Sequence, residues 1–254
     1  MSIVFLVIVL LILFYLLFIL PTQWLKVEQV HHSLGINIKI LQISDIHIEN
    51  MRVSLQKIRQ VILTENPDYI FLTGDFIDHQ FDEIKLNRFL REIVLQSQAP
   101  IYAVLGNHDY DFNAASKIEQ LLTSYKITLL KNEQVDVGRF QIIAIDDYCT
   151  GHSSMDFYKE SKSYSPKIVI THDPTVTYEI PFTFDYLMAG HFHGKQFNIP
   201  FFFSLRDFGP MSKNGIYKGL HHFDKGMIYI SKGLGQSVYN YRFFVRSEIS
   251  IHHF

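Results

Sequence analysis

The chain opens with an unbroken apolar run, Ile3 to Leu20, before any alternation of apolar and polar positions begins. As a helix this run would reach about 27 Å, close to the hydrocarbon thickness of a bilayer. Pro21 ends it, and Trp24 and Lys26 follow, as an interfacial aromatic and cation would. A cleaved signal peptide needs a basic stretch before the run and small residues after it. Met1-Ser2 and Leu20-Pro21-Thr22-Gln23 supply neither, and no twin-arginine pair is present. A buried core helix would be shorter or amphipathic. The run therefore predicts an uncleaved, single-pass anchor over residues 1–21 in the inner (cytoplasmic) membrane. The basic side chains Lys26 and Lys39 come after it, which places the rest of the chain on the cytoplasmic side.

Residues 22–35 read as a linker. From Ile36 short apolar runs alternate with helical spacing, so 36–254 is expected to form one domain. Strands are predicted at Ile36–Ile43, Tyr69–Thr73 and Ile101–Leu105, and helices at Val53–Leu63, Ile84–Val94 and Ala114–Tyr125. Further strands are predicted at Phe140–Ile145, Ile168–Ile170 and Tyr186–Ala189. The end of the chain, near Gly215–Phe223, Met227–Ile230 and Phe243–His252, reads as β structure without helices between. A βαβαβα first half and a β-rich tail predict an α/β sandwich of two sheets covered by helices.

Composition narrows the function classes. A net charge of -2 gives no basic face of the kind nucleic acid requires, so no nucleic-acid partner is expected, and no obligate protein partner is evident. The single cysteine, Cys149, excludes an intrachain disulfide and a thiolate-rich metal site. With no nucleophile–base pair in view around it, Cys149 reads as a structural residue.

The polar motifs each follow a predicted strand, the place where α/β sheets collect ligands. Asp45-Ile46-His47 sets a carboxylate and an imidazole two residues apart, on one side of an extended segment. Asp75 follows the next strand, and a carboxylate can bridge two cations. Asn107 offers an amide oxygen, and His172 ends a strand. His191 and His193 flank Phe192 between Gly190 and Gly194, either on one side of a strand or diverging from a turn toward neighbouring metals. Each block alone is common: Gly-Asp is also a strand-to-turn signal, and a histidine after a strand is usually a hydrogen-bonded structural residue. Oxygen and nitrogen donors without thiolate suit Mn, Fe, Zn or Ni.

The ordered set Asp45-x-His47, Gly74-Asp75, Gly106-Asn107-His108-Asp109, His172 and Gly190-His191-x-His193 resembles the calcineurin-like metallophosphoesterase superfamily. The resemblance covers roughly residues 36–254. It implies a four-layer α/β/β/α sandwich and two divalent metal ions, manganese first. One ion would be held by Asp45, His47, Asp75 and His193, the other by Asp75, Asn107, His172 and His191. His108 would face the substrate as general acid or phosphate ligand. Asp109 would orient the His108 ring from behind, and Asp78 is either a similar support or a plain loop carboxylate. Two cations about 3.5–4 Å apart would make hydroxide available for in-line attack on phosphorus.

The tail blocks Gly219-Leu220-His221, Ser231-Lys232-Gly233-Leu234-Gly235 and Arg246-Ser247-Glu248-Ile249 resemble the bacterial membrane-associated branch of that superfamily. That branch includes YkuE-like phosphoesterases and the chlamydial type of UDP-2,3-diacylglucosamine diphosphatase, an enzyme of lipid A biosynthesis. Three positions depart from the branch pattern: Phe192, Lys195 and Ser247.

The expected substrate is phosphorylated and lipid-linked, with the bilayer itself as a partner. Ile199-Pro200-Phe201-Phe202-Phe203, followed by Arg206, Phe208 and Lys213, reads either as an acyl-chain and phosphate site or as a buried hairpin with ordinary surface charges. Arg206, Lys213 and Lys195 are the candidate substrate-binding cations. Tyr239, Tyr241, Arg242 and Arg246 carry the same two readings. Asp146-Asp147 is read either as lining the cleft or, more commonly for adjacent carboxylates after a strand, as a solvated turn, and His31, His32, His221, His222, His252 and His253 as surface residues. The functions in view are a hydrolase of lipid-linked pyrophosphate, with UDP-2,3-diacylglucosamine foremost, a phosphoesterase of other scope, and a non-catalytic scaffold of the same fold.

Overall fold

The structure is a computed structural model and describes residues 3–160, 165–199 and 209–254. The apolar run forms helix α1 (Ile3–Gln23), which is long and apolar enough to cross a membrane. A π-helical turn, Tyr15–Ile19, interrupts it.

Two six-stranded sheets follow. The first is built from β1 (Lys26–His31), β2 (Lys39–Ile43), β3 (Tyr69–Thr73), β4 (Ile101–Val104), β5 (Thr128–Leu129) and β12 (Glu248–His253), in the order β1-β12-β2-β3-β4-β5. The second holds β6 (Glu133–Asp136), β7 (Gln141–Ala144), β8 (Lys167–Ile170), β9 (Tyr186–Ala189), β10 (Gly219–Phe223) and β11 (Gly226–Ile230), in the order β10-β11-β9-β8-β7-β6. Strands β2 to β5 are parallel, as are β7, β8, β9 and β11. All these parallel strands therefore run their carboxyl ends the same way within each sheet.

Alternation along the strands sorts the core into layers. Leu41 and Ile43 of β2, with Ile70 and Leu72 of β3, pack under helices α2 (Leu55–Glu65), α3 (Glu83–Gln96) and α4 (Ala115–Ser124). Ile40, Phe71, Val104, Ile142, Ile168, Ile170 and Met188 fill the space between the sheets. Val169, Leu187, Ile228 and Ile230 face outward from the second sheet. They are covered by the 3-10 turn Pro174–Tyr178 and a one-turn helix, Gly209–Lys213, with the loops around them. The helices begin where side chains satisfy free N–H groups: Ser54 accepts from the Lys57 amide and Asp82 from the Lys85 amide.

The structure corrects four expectations. Residues 22–35 are not simply a linker, because Lys26–His31 pairs in parallel with β12. The predicted strand Phe243–His252 starts later, at Glu248. His252 is fully buried between the sheets, where it meets the Gln42 side chain at 3.0 Å and the Tyr186 hydroxyl at 3.0 Å. Burial lowers its pKa to about 3, so it sits there neutral. Arg242 is no surface cation either. It is fully buried, and its guanidinium donates to the carbonyls of Lys232, Gly233, Gly235 and Arg246.

The helix end is fastened to the domain by the residues just before β12. Ser247 donates to the Pro21 carbonyl through its amide and to the Thr22 carbonyl through its hydroxyl. Arg246 donates to the carbonyls of Trp24 and Leu25 and stacks 4.0 Å from the Trp24 ring centroid. The buried Arg242 fork fixes the turn 232–235 that carries this stretch. Arg242→Met removes those bonds and leaves buried carbonyls unpaired, for an expected loss of about 3 kcal/mol. Urea unfolding of the detergent-solubilised protein measures this, and Arg242→Lys should recover only part of it.

Candidate metal centre

The predicted ligands come from loops that leave the carboxyl ends of β2, β3, β4, β8 and β9. The loops are not extended, as the i, i+2 argument for Asp45 and His47 assumed. Asp45, His47, Asp75, His191 and His193 all have positive φ. Asp and His tolerate this left-handed region better than most residues, and such strain concentrates at functional sites. Hydrogen bonds between loops hold the turns in place: the Asp45 amide donates to the Gly74 carbonyl and the His47 amide to the Asp75 carbonyl, each at 3.0 Å.

Each carboxylate has one oxygen tied down and one facing inward. Asp45 Oδ1 accepts from the His191 amide at 2.9 Å, while its buried Oδ2 has no hydrogen-bond partner. Asp75 Oδ1 accepts from the His108 amide at 3.0 Å, and its Oδ2 lies 3.5 Å from His47 Nε2 and 3.1 Å from His172 Nε2. The imidazoles are oriented from behind. His47 Nδ1 meets the Ile77 carbonyl and His172 Nδ1 the Thr73 carbonyl, both at 2.9 Å. Each Nδ1 is thereby the donor, which leaves Nε2 free to ligate.

Two donor groups result. Asp45, His47, Asp75 and His193 place ligand atoms within 4.8 Å of one another. His47 Nε2 and His193 Nε2 face each other at 3.1 Å, with Asp45 Oδ1 3.4 Å from the latter. On the other side of Asp75 stand His172, His191 and Asn107, the last two joined by a 3.0 Å contact between His191 Nδ1 and Asn107 Oδ1. A buried carboxylate oxygen beside two facing imidazole nitrogens fits a cation, and among the described residues nothing donates to that oxygen.

With this geometry goes the sequence match. The calcineurin-like phosphoesterase family profile matches residues 38–195. The chain belongs to that family. It is similar to the uncharacterized metallophosphoesterase YkoQ of Bacillus subtilis, 36% identical over 85% of this chain and 83% of that one. The phosphodiesterase YaeI of Escherichia coli is 29% identical over 84% of this chain and 80% of its own. The UDP-2,3-diacylglucosamine pyrophosphatase LpxG of Chlamydia muridarum is 24% identical over 90% of this chain and 86% of its own. As a metallophosphoesterase the chain is a phosphoric ester hydrolase, and its buried Asp/His cluster fits a dinuclear metal site.

Asp109 does different work from that expected, and Asp78 takes the supporting place that was one of its two readings. Asp109 does not reach the His108 ring. It is fully buried, and its carboxylate accepts from the amides of Asp75, Phe76, Ile77 and Gly106. It is a clasp between the β3 and β4 loops. Asp78 is the group beside His108. Its carbonyl accepts from His108 Nδ1, and its carboxylate lies 3.7 Å from that atom and 3.5 Å from His47 Nδ1. Asp146 and Asp147 are buried rather than solvated: Asp146 accepts from the Tyr110 hydroxyl at 2.6 Å and Asp147 from the Thr150 amide and hydroxyl.

Charge is distributed unevenly. Burial works against the Asp75 charge, but His172, His47 and His108 outweigh it and hold the carboxyl well below its usual range. Burial would lower His172, but Asp75 wins and raises it well above an ordinary histidine. His193 goes far the other way through burial, with His47 and Arg242 adding to it. Burial opposes the His108 charge too, yet Asp75 and Asp78 raise its pKa.

Lys195 holds its ammonium 4.2 Å from the Tyr217 ring centroid. Lys213 ends the short helix on the outer face of the second sheet. Arg206 and Phe201–Phe203 lie outside the described residues. Phe192 is buried in the outer core of the second sheet and so anchors the His191–His193 turn. Cys149 is not a core residue; it is exposed beside Asp173 and His191. Its thiol is pushed up to about 11 by partial burial, with Asp147 and Asp173 adding to it, which removes it as a nucleophile.

Sequence reasoning missed Glu49, whose carboxylate accepts from the amides of Asp78, His79 and Gln80. It also missed Gln196 and Ser237. Gln196 Nε2 donates to the carbonyls of Ser237 and Tyr239, and Ser237 Oγ lies 3.3 Å from His108 Nε2. No local spacing signals contacts across forty residues. Gly190 does have a signal, its place before His191. A Cβ there would fall 1.9 Å from Ser44 Oγ and 2.3 Å from Asp45 Oδ2. Gly190→Ala is therefore expected to displace Asp45 and lower the bound metal below two ions per chain, read by elemental analysis of purified protein. A full metal complement in that variant would contradict this role for Gly190.

Proposed function

We propose that this protein is a membrane-anchored, manganese-dependent hydrolase of a lipid-linked pyrophosphate, with UDP-2,3-diacylglucosamine as substrate and UMP plus the lipid phosphate as products. The observation that carries this reading is the position of α1. The rings of Phe18 and Phe243 stack at 5.0 Å, and Phe243 belongs to the loop that reaches His108 through Ser237. An apolar helix packed onto an active-site loop favours a substrate that is itself amphiphilic. The similarity to LpxG supports the pyrophosphate, and the similarity to YaeI keeps a simpler phosphodiester as the outcome to be excluded.

Asp45, His47, Asp75 and His193 would hold one cation, and Asp75, Asn107, His172 and His191 the other. When bound, the pair supplies Lewis-acid polarisation of the phosphoryl group and acidifies water. The chain's own part is positioning and proton transfer. The Asp78 carbonyl accepts from His108 Nδ1, so Nε2 is the atom left to meet substrate, with the Ser237 hydroxyl beside it. Asp75 and Asp78 raise the pKa of that imidazole, which favours the protonated form that would donate to the leaving oxygen and offset phosphoryl charge.

The test is UMP release from UDP-2,3-diacylglucosamine with added Mn, with Asn107→Ala as control. Release is expected to fall about 100-fold or more in the control. No UMP above that control, with bis-p-nitrophenyl phosphate still hydrolysed by the intact protein, would sink the proposed substrate and leave the phosphodiesterase reading. A second expectation concerns pH. Because the acid form of His108 is the useful one and its pKa lies above 6.5, kcat/KM should decline on the alkaline side, through a pKa above that value. His108→Asn should remove that limb of the profile while lowering the rate.

A further inference from the structure

The loop 238–244 reads Val-Tyr-Asn-Tyr-Arg-Phe-Phe. Its one charged side chain, Arg242, points into the protein, and its apolar ones point out. Val238 is 67% exposed, Tyr239 54% and Phe244 69%. Such a contiguous exposed patch beside a binding site marks an interaction surface. Val238 also holds a positive φ of 61, a strained conformation for a β-branched residue, with its amide bound to Asp78 Oδ1 at 3.1 Å.

This patch is continuous with the apolar helix. Tyr241 meets the Phe14 ring edge-on at 5.4 Å, and Phe243 stacks on Phe18. The Arg242 amide donates to the Phe18 carbonyl at 3.1 Å, within the π-helical turn Tyr15–Ile19. A π turn leaves a carbonyl free for such an outside donor. The contacts are therefore part of the helix, not a chance touch.

Depth then follows from length. Ile3–Leu13, the part of α1 above these contacts, reaches about 16 Å, half of a hydrocarbon layer of about 30 Å. A helix that crosses the bilayer must carry Phe14 to Phe18, and whatever stacks on them, down to membrane depth. The loop backbone is suited to that. The amides of Val238, Tyr239, Tyr241, Arg242 and Phe243 all donate within the protein. Irregular backbone is tolerated near lipid only when it is satisfied in this way.

We propose that loop 238–244 enters the headgroup–acyl boundary of the bilayer and holds the His108 side of the metal centre against the membrane surface. The occupant of the patch is lipid, because the patch extends the surface of a helix that is itself apolar on every side. An amphiphilic phosphoester then meets His108 without leaving the bilayer. This rests on the membrane-anchored reading above and adds to it which face of the domain meets lipid.

The test uses the full-length chain in phosphatidylcholine vesicles whose lipids carry bromine on the acyl chains. Two forms are compared: the native protein, whose single tryptophan is Trp24, and Phe244→Trp in a Trp24→Phe background. The proposal expects strong bromine quenching and blue-shifted emission for the F244W form. Quenching of Trp24 without quenching of the F244W form would keep the anchor and overturn the loop insertion. Quenching of neither would overturn both. Blue-shifted but unquenched F244W emission would mean a protein surface covers the loop, and would also overturn it. In turnover, Phe244→Asp is expected to lose about tenfold on vesicle-borne substrate and nothing on soluble bis-p-nitrophenyl phosphate. Equal losses on both would overturn the proposal.

Discussion

One buried carboxylate organises this molecule. Asp75 is almost completely enclosed, and an ionised carboxylate in that position would be prohibitively costly alone. It stays charged because His172 and His47 face its Oδ2 and the His108 amide binds its Oδ1. The remaining donors gather around the same point from both sheets. His172 comes from the second sheet and His47 from the first, so a single acid ties together loops that share no local sequence. The two sheets must therefore keep their relative placement to within the length of a hydrogen bond. The layer between them, with Ile40, Phe71, Ile142 and Ile170, is what fixes that placement.

The supporting groups divide the task by kind. Asp109 holds backbone, Asp78 holds the imidazoles His47 and His108, and Glu49 holds the loop that carries Asp78. Burial, with the neighbouring Asp75 charge, pushes the Asp109 carboxyl upward, and backbone amides pull it back. An acid under that tension is a poor mobile proton carrier but a good clasp, since its donors are part of the chain and cannot move away. His108, by contrast, is only partly buried and opens toward Ser237, as the proposed proton donor would need to.

Much of the fold was legible because short apolar runs and turn residues mark each strand end. Tyr69–Thr73 and Tyr186–Ala189 match their predicted bounds, and the helices agree to within a few residues. What failed shares a physical cause. Lys26–His31 alternates charges and short apolar residues, so it read as a linker; its strand character comes from β12, more than two hundred residues on. Arg242 and His252 looked like surface groups because a side chain's burial depends on partners that local sequence does not display. The Asp45–His47 turn was misread as extended for the opposite reason: the residue types were informative, and the left-handed backbone that aims them was not. The order of the motif blocks was readable; that Asp109 clasps backbone while Asp78 stands beside His108 was not, since both are simply acids after a strand.

The helix and the metal centre are often treated as separable parts of an anchored enzyme, but here the contacts run straight through. Phe18 leads to Phe243, whose amide donates to the Gln196 carbonyl, and Gln196 follows His193 by three residues. From the same loop Ser237 reaches His108 and Val238 reaches Asp78. The Ser247 and Arg246 bonds to residues 21–25 close the other side of the junction. A junction of this kind has little freedom to swing, so the orientation of the helix sets the orientation of the metal centre. Under the proposed membrane anchoring, such a packed aromatic seam would also decide which face of the centre the substrate approaches, where a flexible linker would only raise its local concentration.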